Sequence, residues 1–189
     1  MHFLILMGSP RKNGNTASAA ALFLDALLQA GHTGEILNLY DKDLKPCLGC
    51  RKCQTDWSGF SCIQQDDMAD IFEKSLRCDC ILLATPIYSW YCTSPMKAVL
   101  DRLAYGMNKY YGDTKGPSLW EGKSLAALIT CGYPPEKGAD LFKEGIKRYC
   151  KHSKLSYKGM LALRHLGYNT VFMNKEKEGQ VRAFTRLLL

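Results

Sequence analysis

The chain has 189 residues, of which 47% are apolar and 23% are charged, a composition that excludes a largely disordered protein and fits a single domain over residues 1–189. Lys and Arg outnumber Asp and Glu by 25 to 18, but the densest basic groups are pairs, so the stripe typical of nucleic-acid binding is absent. The first seven residues are too short for a signal peptide, and no later apolar run approaches a membrane span, so we expect a cytoplasmic protein with no membrane or nucleic-acid partner.

The predicted elements alternate between strand and helix five times. Residues 1–7 form a continuous apolar run that ends at Gly-Ser-Pro, the pattern of a central parallel strand buried on both faces. Further strands are predicted at 33–39, 79–85, 123–131 and 157–166, and helices at 15–30, 66–76, 94–106, 137–152 and 175–189. Short parallel strands joined by helices predict an open α/β sheet, whose ligands bind outside the carboxyl ends of the strands.

Two connections between these elements are unusually long. Residues 40–65 contain a cysteine-rich loop at about 45–65, and loops of this length usually have a function. Residues 108–120 form an insertion to which the sequence assigns no role. The nine cysteines are many for a chain without an export signal, so we do not expect a disulfide framework.

The connection between the first strand and the first helix, residues 8–16, reads Gly-Ser-Pro-Arg-Lys-Asn-Gly-Asn-Thr. A helix start offers unpaired N–H groups and the positive end of the helix dipole, which together bind phosphate. Five residues separate Gly8 from Gly14, and Asn15 follows, so the loop is not a Walker P-loop. A Gly-x-Gly-x-x-Gly dinucleotide fingerprint and a Cys-x5-Arg phosphatase loop are also absent. The pattern predicts a phosphate loop of another kind.

Four further segments follow the phosphate loop: Pro-Cys-Leu-Gly-Cys-Arg-Lys-Cys at 46–53, Asp-Asp-Met at 66–68, Ala-Thr-Pro-Ile-Tyr at 84–88 and Met-Lys-Ala-Val-Leu-Asp-Arg at 96–102. Together the five segments resemble the superfamily of NAD(P)H-dependent FMN reductases and iron-sulfur flavoproteins. The resemblance is dense over roughly residues 1–135. It implies a flavodoxin-like fold: a doubly wound, five-stranded parallel sheet of order 2-1-3-4-5 in three α/β/α layers, with FMN bound where the strand order reverses.

The resemblance also implies which residues bind FMN. Side chains of the phosphate loop would hold the phosphate, and we include one lysine for its charge: Ser9, Arg11, Lys12, Asn13, Asn15 and Thr16. Residues after the third and fourth strands would flank the isoalloxazine ring: Pro86, Ile87, Tyr88, Ser89, Trp90, Cys131, Gly132 and Tyr133. The aromatic residues among them are equally typical of core or oligomer contacts. Hydride transfer to flavin requires stacking and no protein nucleophile, so we predict no catalytic side chain. Asp101 and Arg102 are left out of the site, since a helix ion pair explains them as well.

Cys47, Cys50 and Cys53 form a Cys-x2-Cys-x2-Cys run, and Cys62 follows. Four thiolates can hold a 4Fe-4S cluster or a zinc ion. In the flavoproteins that this chain resembles, the gap before the fourth cysteine is shorter than here. Three alternatives therefore stay open: a cluster, zinc, and thiols or a disulfide without metal. The other five cysteines are expected to be buried small apolar residues.

Three functions fit these observations. The first is an FMN-dependent NAD(P)H oxidoreductase of the flavin or quinone reductase type, which passes electrons to a small acceptor. The second is an iron-sulfur flavoprotein electron carrier that receives electrons from ferredoxin. The third is a zinc-stabilised binding module without redox activity. The resemblance further implies a homodimer or homotetramer.

Overall fold

The computed structural model describes residues 1–167 and 169–189. Its strands are β1 (His2–Met7), β2 (Thr33–Asn38), β3 (Cys80–Pro86), β4 (Ser124–Cys131) and β5 (Ser156–Arg164). Its helices are α1 (Asn15–Gln29), α2 (Met68–Arg77), α3 (Ser94–Met107), α4 (Pro135–Gly138), α5 (Asp140–Ser153) and α6 (Lys175–Leu188). A search of the described helices finds none with the length and apolar character needed to cross a membrane.

The five strands form one parallel sheet of order β2-β1-β3-β4-β5, which confirms the predicted flavodoxin-like topology. The central strand β1 pairs with β2 and β3, so that Ile5 lies between Ile36 and Leu82. The strand order reverses between β1 and β3, and ligand sites of such sheets lie at that point.

Both faces of the sheet are covered by helices. On one face Phe72 of α2, Leu103 of α3 and Phe142 of α5 belong to a single buried cluster. On the other face Phe23 of α1 and Phe184 of α6 pack with their ring centroids 6.5 Å apart. From Phe3 to Met7 β1 is buried on both faces, and all five of these residues are apolar. The observed architecture is the expected three-layer α/β/α sandwich.

Two helices differ from the sequence prediction. Helix α2 begins at Met68 because the two preceding carboxylates serve the cysteine-rich loop: Asp66 accepts the N–H of Lys45 at 3.0 Å, and Asp67 accepts the N–H of Asp43 at 2.8 Å. The helix predicted from residue 137 is divided into α4 and α5, because the backbone leaves helical geometry at residue 139, where φ is −123°.

Candidate functional site

The loops that follow β1, β3 and β4 meet at the carboxyl edge of the sheet. The N–H of Gly8 donates to the carbonyl of Ala84 at 2.8 Å, and the N–H of Ile87 donates to the carbonyl of Thr130 at 2.8 Å. The hydroxyl of Thr93, the residue before α3, donates to the carbonyl of Gly8 at 2.7 Å. The structure therefore brings the three predicted cofactor segments together.

The start of α1 is shaped as an anion site. Gly14 is the N-cap residue; no side chain caps the helix, and its first turn contains no acidic residue. The first N–H groups of a helix have no intrahelical partner, so here they are available to a ligand. A Cβ on Gly14 would lie 2.9 Å from Cβ of Arg11, which accounts for the glycine.

Two hydroxyls of this loop are buried. Thr16 Oγ1 lies 2.8 Å from Thr130 Oγ1, which ties the start of α1 to the end of β4. Ser9 Oγ accepts the N–H of Arg11 at 3.3 Å. Both hydroxyls are therefore fixed by backbone or by a neighbouring strand.

The basic and amide side chains of the loop lie nearer the surface. Arg11, Lys12 and Asn13 are exposed, and Asn15 is half-buried. The ammonium of Lys12 lies 2.8 Å from the carboxylate of Asp41, so its charge is already partly compensated. Arg11 forms no such pair among the described residues, which makes it the freer cation of the two.

The chain after β3 forms a hairpin with a two-residue turn. Tyr88 and Tyr91 exchange backbone hydrogen bonds of 2.8 and 3.0 Å. The turn residues Ser89 and Trp90 have φ values of 49° and 62°, in the left-handed region that L residues rarely adopt. The indole N–H of Trp90 donates to the carbonyl of Lys137 at 3.1 Å. The turn is thus strained and fixed, a combination typical of functional loops.

A cavity of about 350 Å³ opens beside this hairpin, within the range of small-ligand pockets. Its lining residues are Ile87, Ser89, Trp90, Cys131, Gly132, Tyr133 and Gly138. The rings of Trp90 and Tyr133 are nearly parallel, at 11° with centroids 6.2 Å apart, although the residues are 48% and 63% exposed. Pro86 and Tyr88 lie outside this lining, and Tyr88 is exposed on the hairpin. Flat aromatic rings and the backbone of two glycines therefore line the cavity.

The end of β4 contributes a neutral side chain, the thiol of Cys131, to the cavity. Burial raises the pKa of the Cys131 thiol, which therefore stays protonated at neutral pH, although nearby Arg164 acts in the opposite direction. The Nε–H of Arg164 donates to the carbonyl of Gly132 at 3.3 Å. Sequence reasoning missed Arg164 and Thr93. Of these two residues only Thr93 had a readable signal, its place before a Ser-Pro helix start.

The four cysteines of the cysteine-rich loop line one pocket against α3, named here the four-cysteine pocket. Its other lining residues include Phe60, Arg102 and Tyr105. All nine cysteines are free thiols. In the part of the chain that the structure describes, no three Cys, His, Asp or Glu side chains are close enough to share one metal ion. The four sulfur atoms therefore surround a common pocket without converging on a single point.

Arg102 is buried beside this pocket, with 3% of its surface exposed. Its guanidinium donates to Cys62 Sγ at 3.3 Å and forms an ion pair with Asp66, while its Nε–H has no partner among the described residues. Its neighbour Asp101 instead pairs on the surface with Lys97, at 2.6 Å. Asp101 thus forms the kind of helix ion pair that the sequence allowed, whereas Arg102 adjoins the cysteines. The sequence did hold a signal for the burial of Arg102, because it follows the apolar Val99 by three residues and so lies on the same face of α3.

The insertion after α3 forms hydrogen bonds to the cysteine-rich loop. Lys109 is fully buried, and its ammonium donates to the carbonyls of Cys53 and Gly59 at 2.8 and 2.7 Å. Burial lowers the pKa of Lys109 and raises the pKa of the Cys53 thiol. Gln54 is also buried, and its Oε1 accepts the N–H of Tyr111 at 3.0 Å. The insertion, which had no assigned role, therefore fixes the loop that carries the cysteines.

Comparison with known sequences gives a consistent family. The sequence model of the family described as NADPH-dependent FMN reductase matches residues 1–139. An iron-sulfur flavoprotein from Methanocaldococcus jannaschii is 33% identical over 102 residues, which make up 54% of this chain and 51% of that protein. The chain thus spans about half the length of the curated relatives it matches.

Solved structures share the fold over the whole chain. An NAD(P)H:quinone oxidoreductase from Methanothermobacter marburgensis has a TM-score of 0.80 at 19% identity, covering 100% of this chain and 96% of that one. An FMN-dependent NADH-azoreductase from Bacillus anthracis, in complex with FMN, has a TM-score of 0.70 at 14% identity, covering 100% and 99%. At these identities the likeness establishes the flavodoxin-like fold.

Proposed function

Because the chain belongs to the NADPH-dependent FMN reductase family, we propose that it binds FMN and passes electrons from NAD(P)H to a small acceptor. One observation carries this proposal: an uncapped helix start and an aromatic cavity lie at the same sheet edge, joined by the hydrogen bond between Thr16 and Thr130. These two features suit the two ends of FMN, a phosphate and a flat ring.

The start of α1 would hold the phosphate. Its free N–H groups and helix dipole favour an anion, and the buried hydroxyls of Ser9 and Thr16 are fixed at the same turn. Arg11 adds an exposed cation, and Lys12 shares its charge with Asp41. Asn13 and Asn15 belong to the same loop and would close it around the phosphate.

The cavity would hold the ring. FMN, when bound, would supply the redox chemistry, which is hydride transfer from a nicotinamide and electron transfer to an acceptor. The described residues that line the cavity include no carboxylate, histidine or lysine, so the chain would contribute mainly binding and orientation. Ile87 and Gly132 offer backbone at the ring edge, while Trp90 and Tyr133 form a wall against which a planar acceptor or a nicotinamide can stack.

The phosphate role is tested by comparing FMN with riboflavin, which lacks the phosphate. We expect the wild type to bind FMN at least about 10-fold more tightly, since charge-assisted hydrogen bonds are lost with riboflavin. Ser9→Ala and Thr16→Val should narrow this ratio. The matched control Ser18→Ala, on the exposed side of α1, should leave it unchanged. Equal wild-type affinities for the two flavins would refute the phosphate site.

The reductase activity is tested separately, in the absence of oxygen. NADPH or NADH added to the FMN-loaded chain should bleach the flavin absorbance, and a quinone or free flavin added afterwards should restore it. A chain that binds FMN but is bleached by neither nucleotide would contradict the proposed activity while leaving the FMN site intact.

A second candidate function is that of an electron carrier, in which a 4Fe-4S cluster in the four-cysteine pocket passes single electrons from a ferredoxin to FMN. Zinc would need its sulfur ligands about 2.3 Å from one point, and the cysteines instead surround a wider pocket. N–H groups already donate to sulfur there, from Gly49 to Cys47 Sγ at 3.4 Å and from Arg102 to Cys62 Sγ at 3.3 Å, as around iron-sulfur clusters. Protein prepared without oxygen that contains no iron or acid-labile sulfide would end this candidate.

A further inference from the structure

Lys109 carries a buried charge that no nearby ion pair balances. Its side chain is inaccessible to water, and its two acceptors are the neutral carbonyls of Cys53 and Gly59. None of the ion pairs among the described residues includes Lys109. The carboxylate of Asp56 interacts with Lys109 without forming an ion pair, and it is exposed to solvent.

Proteins keep a buried ammonium where an anion compensates it, because the desolvation of an unpaired charge is costly. Neutral thiols or a disulfide in the adjacent pocket would supply no negative charge. Cysteines that bind a metal are deprotonated, and four of them give the centre a net negative charge. The alternatives that the sequence left open therefore differ in whether they compensate Lys109.

Arg102 provides a second, independent observation, because it lines the pocket itself. Cys62 does not belong to the Cys-x2-Cys-x2-Cys run, so it must be brought to the pocket by contacts elsewhere in the fold. Arg102 donates to its sulfur at 3.3 Å and is itself held by Asp66. The Nε–H of Arg102 is a buried donor beside the pocket and has no partner among the described residues, as expected where an acceptor binds.

We propose that Lys109 is the counter-charge of an anionic metal centre held by four thiolates in the four-cysteine pocket, and that Arg102 positions Cys62 as the fourth ligand. The shared chemistry is a metal–tetrathiolate centre. The spacing of the four cysteines around the pocket favours a 4Fe-4S cluster, and metal analysis distinguishes it from zinc, whose ligands would have to move closer together. This inference rests on the second candidate function and is independent of the FMN site. Lys109 acts as a positioning and charge-compensating residue, since it touches the backbone of a ligand and none of the reacting atoms.

The test uses the full chain prepared without oxygen, as wild type, Lys109→Met and Lys115→Met. Lys115 belongs to the same insertion but is exposed, so its variant controls for the loss of one lysine. Iron, acid-labile sulfide and zinc per chain distinguish the two sources of the metal. We expect Lys109→Met to release its metal to a chelator about 10-fold faster than wild type. Mutations of residues that hydrogen-bond to metal ligands typically have effects of this size. Lys115→Met should match wild type.

A second readout separates charge compensation from a structural clamp. If the centre is a cluster, Lys109→Met should lower its reduction potential, because the reduced and more negative form loses a neighbouring cation. Lys109→Arg keeps the charge and should keep the potential. Unchanged release and, for a cluster, unchanged potential in Lys109→Met would overturn the proposal. So would wild-type protein that contains neither iron nor zinc.

A second background serves if Lys109→Met fails to fold when metal is present. In a chain with all four pocket cysteines changed to serine, no thiolates remain to compensate Lys109. There the proposal expects Lys109→Met to melt at the same temperature as its parent or higher. A lower melting temperature would show that Lys109 is only a clamp on the carbonyls and would overturn the proposal. FMN content and bleaching, measured on the same samples, report separately on the FMN reductase function.

Discussion

At the scale of single residues, the ion pair of Asp66 and Arg102 is the most buried charge pair of the described chain, with side chains 0% and 2% exposed. Burial acts to raise the pKa of Asp66, but hydrogen bonds from Arg102 and from the N–H of Lys45 outweigh it, so the pKa lies below its usual value. The sequence shows both residues within family segments. It could not show that they pair, because the loop and the helix that carry them meet only in the fold.

Asp66→Asn should strongly destabilise the chain at neutral pH. The variant leaves the guanidinium of Arg102 buried without its counter-charge, which costs about 3–5 kcal/mol. Because the folded pKa of Asp66 is depressed, its stabilisation is present above the unfolded pKa of about 4 and is lost as the pH falls through the folded value. The deficit of the variant should therefore shrink below about pH 4. Urea unfolding between about pH 3 and pH 7 measures both effects.

The neighbouring residue provides the control. Asp101 pairs with Lys97 one helical turn away, and both side chains are nearly half exposed. Asp101→Asn should change the free energy of unfolding by less than about 0.5 kcal/mol, as for other exposed helix pairs. Similar losses in the two variants would mean that the Asp66 ion pair contributes no more than a surface pair.

At the scale of elements, the hairpin after β3 stores backbone strain. Ser89 has a φ of 49°, and the left-handed region costs a non-glycine residue roughly 1 kcal/mol. Ser89→Gly should therefore raise the free energy of unfolding by up to about 1 kcal/mol and the melting temperature by about 2–4 °C. Thermal unfolding of the apoprotein measures this change.

Ser18→Gly in α1 is the matched comparison, because the two substitutions affect the unfolded chain alike. Ser18 is exposed within a regular helix, where glycine costs about 0.5–1 kcal/mol. The two variants should move the melting temperature in opposite directions. A loss of stability in Ser89→Gly as large as in Ser18→Gly would show that the turn carries no strain.

The element order was predictable from the sequence because the parallel strands are buried on both faces and read as continuous apolar runs. The role of the insertion 108–120 was not predictable, because the residues that it contacts are distant in sequence. Asn108 is fully buried; its amide donates to Ser153 Oγ, and its Oδ1 accepts from Ser118 and Trp120. Nothing local to Asn108 indicates that its partner is Ser153, the last residue of α5.

The candidate site was likewise predictable from the sequence in part. The phosphate loop is one contiguous segment before a helix, so sequence reasoning could predict it. Thr130 and Lys109 matter through contacts that the fold creates, to Thr16 and to the carbonyl of Cys53. The four cysteines could be named from the sequence. The groups around them, above all Arg102, can be identified only from the folded structure, in which α3 packs against the loop.

At the scale of the whole molecule, α3 connects the two candidate sites. Thr93, at its start, donates to Gly8 of the phosphate loop, and Arg102, farther along, contacts Cys62. At about 1.5 Å per residue, these two points lie roughly 14 Å apart along the helix axis. The described lining residues of the aromatic cavity and of the four-cysteine pocket have no member in common. The fold thus places the sites on one rigid element but builds them from different residues.

Replacing Cys47, Cys50, Cys53 and Cys62 by serine should therefore remove any metal and leave FMN binding within about twofold of wild type, because distant sites without shared partners act additively. Thr16→Val should do the reverse, weakening FMN while the metal content stays at the wild-type level. FMN titration and metal analysis on the same samples measure both. If the serine variant lost FMN although its circular dichroism stayed native, the two sites would be energetically coupled, and α3 would be the element that transmits the coupling.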